Sequence, residues 1–366
     1  MFGRNLVLVW IGIFLLSGMF LMGQDGWCPL IVCNGDYLIT DDEDFMGYPD
    51  YAHVDLSELS RCETITGDLV IYAINLTSLS GLENLTSVGG SLLIYENPAL
   101  TSLTGLNNLT SVNRMNIMHN PVLTSLQALN DLTDPGESLL IAYNPSLTSV
   151  SGLENLKSVN GSISVHTNSS LTSLSGLENL TSVGSLDISW NPALTSLHGL
   201  NKLLSVDGEM YISYSPLINL EGLSNLASVG NLSIYANTNL SSFAGLESLT
   251  SVRWNLYIYS NSSLTSLIDL SNLTSVGGLH IGYTALTNLE GLDNLTSVGD
   301  LIIDGNPNLA SLAALENLPS LSGDLWIYDN LSLPTCEAEW LRDNIGVENI
   351  WGSINIYNND DTGTCE

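Results

Sequence analysis

The amino-acid sequence predicts a strand-dominated parallel β-solenoid, and three features carry that expectation. First, a unit of about 23 residues recurs from Asp68 to Leu333. Its anchor aliphatics are Ile71, Ile94, Ile117, Ile141, Val165, Ile188, Ile212, Ile234, Ile258, Ile281, Ile303, Ile327 and Ile356, with eleven gaps of 22 to 24 residues and a last gap of 29. A fixed period of this size means stacked units, each burying its apolar edge only against its neighbours. Second, apolar residues fall every third position, as at Leu76, Leu79, Leu82, Leu85 and Val88. A helix needs a period of about 3.6 and a strand about 2, so this spacing fits short straight segments and tight turns that keep one row pointing inward. Third, after Gly89-Gly90, Leu92 and Ile94 alternate with Leu93 and Tyr95 as a strand does. Copies of that strand stack at about 4.8 Å per rung, so thirteen rungs span about 60 Å.

The elements follow in chain order. Residues 1–23 read as a secretory signal: Arg4, then an apolar run from Leu6 to Met22, then Gly23 before polar sequence. The run is long enough that retention as an anchor is the alternative. The stretch Asp25-Gly-Trp-Cys28 is a poor lipoprotein cleavage box, so no lipid anchor is read from it. Residues 24–67 form an N-terminal cap, 68–333 the solenoid and 334–366 a C-terminal cap. All five cysteines lie outside the regular repeats: Cys28, Cys33 and Cys62 before them, Cys336 and Cys365 after. In an exported chain that pattern reads as disulfides stapling the caps. Cys336 pairs with Cys365, which flank the insertion that breaks the period. Cys62 pairs with Cys33 or Cys28, leaving one thiol over. A metal site is the alternative, with no Cys-x-x-Cys or nearby His to support it.

Three residues past the anchors comes a column of Asn97, Asn120, Asn144, Asn168, Asn191, Asn237, Asn261, Asn306, Asn330 and Asn359. A buried Asn ladder satisfies backbone groups that a bend leaves unpaired; ligand binding is the competing reading. Pro often follows, as at Pro98, Pro121 and Pro145, and fixes the chain direction out of the strand. In the closing cap, Cys336-Glu-Ala-Glu-Trp340 after Pro334 reads as a short helix, and Ser353 to Tyr357 as a last strand.

The unit Leu76-Thr-Ser-Leu79-Ser-Gly-Leu82-Glu-Asn-Leu85-Thr-Ser-Val88-Gly-Gly, followed by Leu92-Leu-Ile94-Tyr-Glu-Asn97-Pro98, resembles the repeats of receptor L domains. Similar repeats occur in fungal cell-wall proteins and bacterial surface leucine-rich-repeat proteins. The resemblance covers roughly residues 28–366. It implies a right-handed parallel β-helix, export to the surface or medium, and binding instead of catalysis; it is nearly silent on the ligand. Unlike the receptors, this chain shows no kinase, no clear second membrane span and no Cys-rich module. For a surface protein, a sorting or anchoring tail beyond Cys365 is one expectation.

The net charge of -31, from seven Lys and Arg against 38 Asp and Glu, excludes nucleic acid and anionic membrane as partners. Candidate binding residues come from the strand positions one before and one after each anchor, read as facing solvent, and from the exit position two after. Tyr72, Tyr95, Tyr235, Tyr259, Tyr328 and Tyr357 sit one after; Tyr143, Trp190, Tyr214 and Tyr283 two after; Tyr211, Tyr257 and Trp326 one before. Exposed aromatics with polar tips suit recognition of a protein or a glycan. The competing reading is stacking between rungs, because tyrosine has high strand propensity. Tyr214, Tyr235, Tyr257 and Tyr259 are expected to form the densest patch. His119 and His166, two rungs apart, suit a metal or catalytic pair or plain repeat drift. The run Asp41-Asp42-Glu43-Asp44 suits calcium or a solvated turn, and lacks a Gly-punctuated ligand loop. Twelve Asn-x-Ser/Thr sequons, among them Asn84, Asn108, Asn179, Asn272 and Asn294, are mostly the repeat consensus itself. They carry glycans only in a eukaryotic secretory pathway.

An exported recognition or adhesion protein that needs no cofactor is the leading expectation. A structural solenoid of an envelope or matrix is the runner-up. A polysaccharide-degrading β-helix is remote, because Arg61, Arg114, Lys157, Lys202, Arg253 and Arg342 are dispersed instead of clustered with carboxylates.

Overall fold

The computed structural model describes residues 31–42 and 48–365. The segment 1–23, Cys28, and Glu43 and Asp44 of the acidic run lie outside the described residues. The rest is a parallel β-solenoid of about eleven regular turns, and all its strand pairings are parallel. Ile71, Ile94, Ile117 and Ile141 face one another in register, as do Ile188, Ile212, Ile234, Ile258, Ile281, Ile303, Ile327 and Ile356. Of the three-spaced row, Leu79, Leu82, Leu85 and Val88 are buried with them in one continuous core, whereas Leu76, expected to point inward, is exposed. A fourteenth anchor was hidden in the cap: Ile39 pairs with Ile71. The insertion between Thr40 and Asp68 lengthens that first turn and breaks the period.

The row of three does not end in coil. In the strand Ser87–Tyr95, Ser87-Val88 pair with Ser111-Val112 and Leu92–Tyr95 pair with Met115–Met118, with a register shift between. In the first rungs the two halves are separate strands, Cys62–Ile65 and Leu69–Tyr72. The recurring Ser-Val supplies a β-branched residue that favours the pleat. The bend falls at Gly89-Gly90, where successive rungs come close. A Cβ on Gly89 would lie 2.6 Å from the Thr66 carbonyl oxygen, and one on Gly90 2.7 Å from the Gly67 carbonyl carbon. Neither could bear a side chain without moving the backbone.

Both ends are stapled. Cys33 bonds Cys62 between the paired strands Ile31–Cys33 and Cys62–Ile65, with Cα atoms 5.7 Å apart. Cys336 bonds Cys365, with Cα atoms 6.1 Å apart. The helix Thr335–Ile345 buries Ala338, Leu341 and Ile345 on one face and ends at Gly346, whose φ is 84°. The strand Ile354–Tyr357 closes the sheet. Among the described residues no helix is long and apolar enough to cross a membrane.

The Asn column is a buried ladder. Asn97 through Asn330 are fully buried and Asn359 is nearly so. Asn97 Nδ2 donates to the Ile71 carbonyl at 3.1 Å, and its backbone N–H donates to Asn120 Oδ1 at 3.2 Å. The same pair of bonds recurs at Asn120, Asn144 and Asn330. Each amide thus pairs one carbonyl of the rung before and one N–H of its neighbour, groups the corner would otherwise orphan.

A second, outer ladder uses the consensus asparagines that spell the sequons. Asn84 Nδ2 donates to Ser60 O at 2.8 Å, Asn108 to Glu83 O at 2.6 Å, and Asn179 to Glu154 O at 2.9 Å. Asn272 and Asn294 repeat the bond at 2.7 Å. These side chains tie rungs together, a structural use that accounts for their recurrence whatever the secretory pathway.

Candidate ligand-binding face

Among the described residues, the one two past each anchor from Ile71 to Ile356 has φ between 51° and 63°. Only one of these thirteen corners, Gly305, is glycine. The left-handed turn swings the chain off the strand and turns the next side chain, the ladder Asn, inward. An L-residue there costs roughly 1–2 kcal/mol relative to the right-handed conformation. The corner tolerates varied side chains: Ala73, Glu96, His119, Thr167, Ser260 and Asp329 all occupy it. Four corners carry large rings that remain exposed: Tyr143 at 44%, Trp190 at 52%, Tyr214 at 37% and Tyr283 at 54%.

These rings pack against one another along the stack. Trp190 and Tyr214 are stacked at 3.7 Å, and His119 and Tyr143 at 4.4 Å. His166 meets the edge of Tyr143 at 5.7 Å. Tyr143 therefore stands between His119 and His166 and holds both rings. Among the described residues no three His, Cys, Asp or Glu are grouped to hold a metal ion.

The strand positions beside the anchors are less uniform than their alternation suggests. Tyr211, Tyr235 and Tyr357 are exposed, whereas Tyr72, Tyr95, Tyr257, Tyr259, Tyr328 and Trp326 are half-buried. Tyr72 and Tyr95 pack at 4.8 Å, Tyr257 and His280 at 4.6 Å, and Tyr328 and Tyr357 at 5.0 Å. Several equivalent positions are covered altogether: Val70, Ala142, Ser189, Ser213, Gly282 and Asp304. The expectation that every such position faces solvent is thus corrected. Bulky residues overhang small neighbours one rung away. Tyr259 shows how: its ring lies where a Cβ on Gly282 would be 2.6 Å away, and its hydroxyl donates to both carboxylate oxygens of Asp304 two rungs on. Burial, then the hydrogen bond and charge of Asp304, push the Tyr259 hydroxyl well above the usual phenol range. Burial likewise raises the Asp304 carboxyl. Tyr259 is held as a tie across the sheet.

The alternation of large and small side chains leaves two grooves. The first, about 610 Å³, has Tyr143, Trp190 and Tyr211 as walls and His166, Thr167, Asp187 and Ser189 as floor. Asp187 accepts from Ser164 Oγ at 3.1 Å and from Ser189 Oγ. Burial, then a hydrogen bond to Glu209 and the charges of Glu209 and Asp187, raise the Tyr211 hydroxyl, whose proton Glu209 engages. The second, about 320 Å³, lies between Tyr211, Tyr235, Tyr257 and Tyr259 over Ser213 and Ser233. Tyr211 is a wall of both. Tyr214 is not in the second groove. It stacks on Trp190, and its hydroxyl is raised first by a hydrogen bond with Tyr235, whose ring is 5.4 Å away. Beyond the Trp190–Tyr214 ridge a third hollow of about 520 Å³ is lined by Pro192, Ser215 and Pro216 among others. The sequence reading missed Asp187, Ser189, Ser213 and Ser233. Their signal was present as small residues at positions where neighbouring rungs carry Tyr.

Residues 61–149 match the receptor L domain. That domain is a ligand-binding one. Its match takes in Tyr72, Tyr95 and Tyr143 and stops before Trp190 and Tyr211. No curated protein matches the chain. Among solved structures, it is similar to the functional domain of InlJ from Listeria monocytogenes, which includes a cysteine ladder, at 17% identity and a TM-score of 0.37. That alignment covers 85% of this chain and 62% of the InlJ domain, so the chain spans under two thirds of that length. It is also similar to a leucine-rich-repeat protein of Leptospira interrogans, at 18% identity and a TM-score of 0.36 over 82% of this chain and 91% of that one.

Proposed function

We propose that this chain is an exported, non-enzymatic recognition or adhesion protein that binds an extracellular protein or glycan through the face between Tyr143 and Tyr259. The observation that carries the reading is the set of exposed rings at left-handed corners. A corner that accepts Ala or Ser does not require a ring, and Trp190, stacked on Tyr214, still leaves half its surface exposed in a conformation that favours glycine. Residues held this way cluster at ligand clamps. The receptor L-domain match and the two disulfides support an extracellular setting and binding. In this reading, residues 1–23 direct export, 24–67 and 334–366 cap the ends, and 68–333 present the face. A structural role in an envelope or matrix draws on the ring pairs Tyr72–Tyr95 and Tyr328–Tyr357. It gives no account of the grooves.

The test uses labelled mature protein on cell-surface and extracellular-matrix preparations. Trp190→Ala with Tyr211→Ala should weaken retention roughly tenfold, as two stacking rings at about 0.5–1.5 kcal/mol each imply, with little change in thermal unfolding. Retention unchanged by the double substitution would refute the reading.

A further inference from the structure

Resting on that reading, we infer that the ligand of the two grooves is a neutral polysaccharide lying along the solenoid axis, stacked on Trp190 and Tyr211 and hydrogen-bonded to Asp187. Three observations converge on this class. The first is charge. Among the described residues none lining either groove is Lys or Arg, and the floor of the first carries Asp187. With a chain charge of -31 around it, a uronic acid, sulfated sugar or phosphate would meet only repulsion.

The second is the kind of polar group on the floor. The Asp187 carboxylate already accepts two hydroxyls, from Ser164 and Ser189. A carboxylate has about four acceptor sites, so about two remain for hydroxyls from a ligand. Beside it the Tyr211 hydroxyl, whose proton is engaged by Glu209, can accept from a sugar hydroxyl. His166 Nδ1 is engaged with Thr167 Oγ1 at 2.9 Å, which leaves Nε2 for the groove. Flat aromatic walls over a floor of hydroxyl partners match a sugar ring, apolar on its faces and polar at its rim.

The third is repetition. Rings recur along the axis at multiples of the rung spacing, in adjacent columns beside the anchors. The two grooves share Tyr211 and extend from the rung of Ile141 to that of Ile258. Those five spacings of about 4.8 Å make a track of about 24 Å. A polymer of repeating units can use such a track in register, whereas a globular protein surface gains nothing from periodicity. Burial of the ring faces accounts for the exposure of Trp190, which stacks on Tyr214 by one face only.

The test is titration of the mature protein, by calorimetry, with size series of neutral gluco-, manno- and xylo-oligosaccharides and with alginate as the anionic control. At least one neutral series should bind saturably, with affinity rising with length up to the oligomer that spans about 24 Å and then levelling. Trp190→Ala should weaken it tenfold or more and Asp187→Asn by a smaller factor. Trp351→Ala, at the far cap and 79% exposed, should change nothing. Failure of every neutral series, while the protein still binds an extracellular protein in a Trp190-dependent way, overturns this inference and leaves the proposed function standing. Failure of both kinds of ligand overturns the two together. Alginate binding as tightly as the neutral sugars also overturns it.

Discussion

Two adjacent columns of the solenoid obey different rules. Three residues past the anchor, ten rungs from Asn97 to Asn359 carry Asn. Two residues past it, the side chains are Ala, Glu, His, Tyr, Thr, Trp, Ser, Gly, Asp and Asn. The backbone is equally regular in both. The difference is what the backbone asks for. The Asn column must supply a donor and an acceptor at fixed places inside the core, and few side chains do that in one short reach. The corner asks only for positive φ and leaves the side chain outside. Uniform residues therefore mark where the fold is made, and variable ones mark where identity is free for other uses. The two columns meet at Ser215 and Thr284, where the ladder is interrupted in the two 22-residue units. Each follows an exposed corner ring, Tyr214 or Tyr283. Ser215 Oγ still accepts from the Asn191 N–H, at 3.4 Å, but it donates to Ser213 O and not to an anchor carbonyl.

Breaking the inner ladder should have the largest effect on stability. Asn120→Ala strands the Ile94 carbonyl and the Asn97 N–H, while the Met118 carbonyl keeps the Glu96 N–H. Each buried unpaired group costs about 1–3 kcal/mol, so a loss of about 3–5 kcal/mol is expected in denaturant unfolding. A loss below about 1 kcal/mol would mean that water replaces the amide and the ladder does not set the fold.

The outer ladder sharpens the comparison, because it has the same residue type in solvent. Asn108→Ala removes one bond to Glu83 O from an exposed side chain. About 1 kcal/mol or less is expected. Parity with Asn120→Ala would show that burial is not what separates the two ladders.

Asp304 offers a smaller, pH-dependent effect. Its carboxyl is raised by burial, so the folded state keeps a proton that the unfolded chain has already released. Stability contributed by that group is present below the ordinary aspartate range, near pH 4, and is lost as pH rises through the higher folded value. Asp304→Asn keeps an acceptor for Tyr259 and removes the titration. Its melting temperature should fall less than the parent's as pH rises from about 4. Parallel curves would contradict the assignment.

Much of the fold was legible because burial imposes a period that residues cannot evade. Ile71 through Ile356 were readable for that reason, and so were Asn97 and its successors. Ile39 was not, because a long insertion follows it. The left-handed corners were hidden since their usual signals are Gly and Asn, and only Gly305 and Asn358 carry them. The site was half legible. Trp190, Tyr143 and Tyr211 stood out as aromatics. Asp187 and Ser189 did not, because a groove floor is made of residues too small to draw notice. Nor did the sequence separate exposed Tyr235 from tied Tyr259, both one past an anchor; the difference lies in Gly282 and Asp304 on later rungs.

The central claim is that the corner rings serve binding and not folding, and Trp190→Gly tests it most directly. Glycine relieves the left-handed strain of roughly 1–2 kcal/mol. It loses a ring pair worth about 0.5–1.5 kcal/mol and adds backbone entropy of about 0.5–1 kcal/mol. The account predicts unfolding within about 1 kcal/mol of the parent, together with at least a tenfold loss of binding to whatever extracellular ligand the parent retains. Destabilisation beyond about 2 kcal/mol with binding by the folded fraction unchanged would contradict it, and would make Trp190 part of the structure.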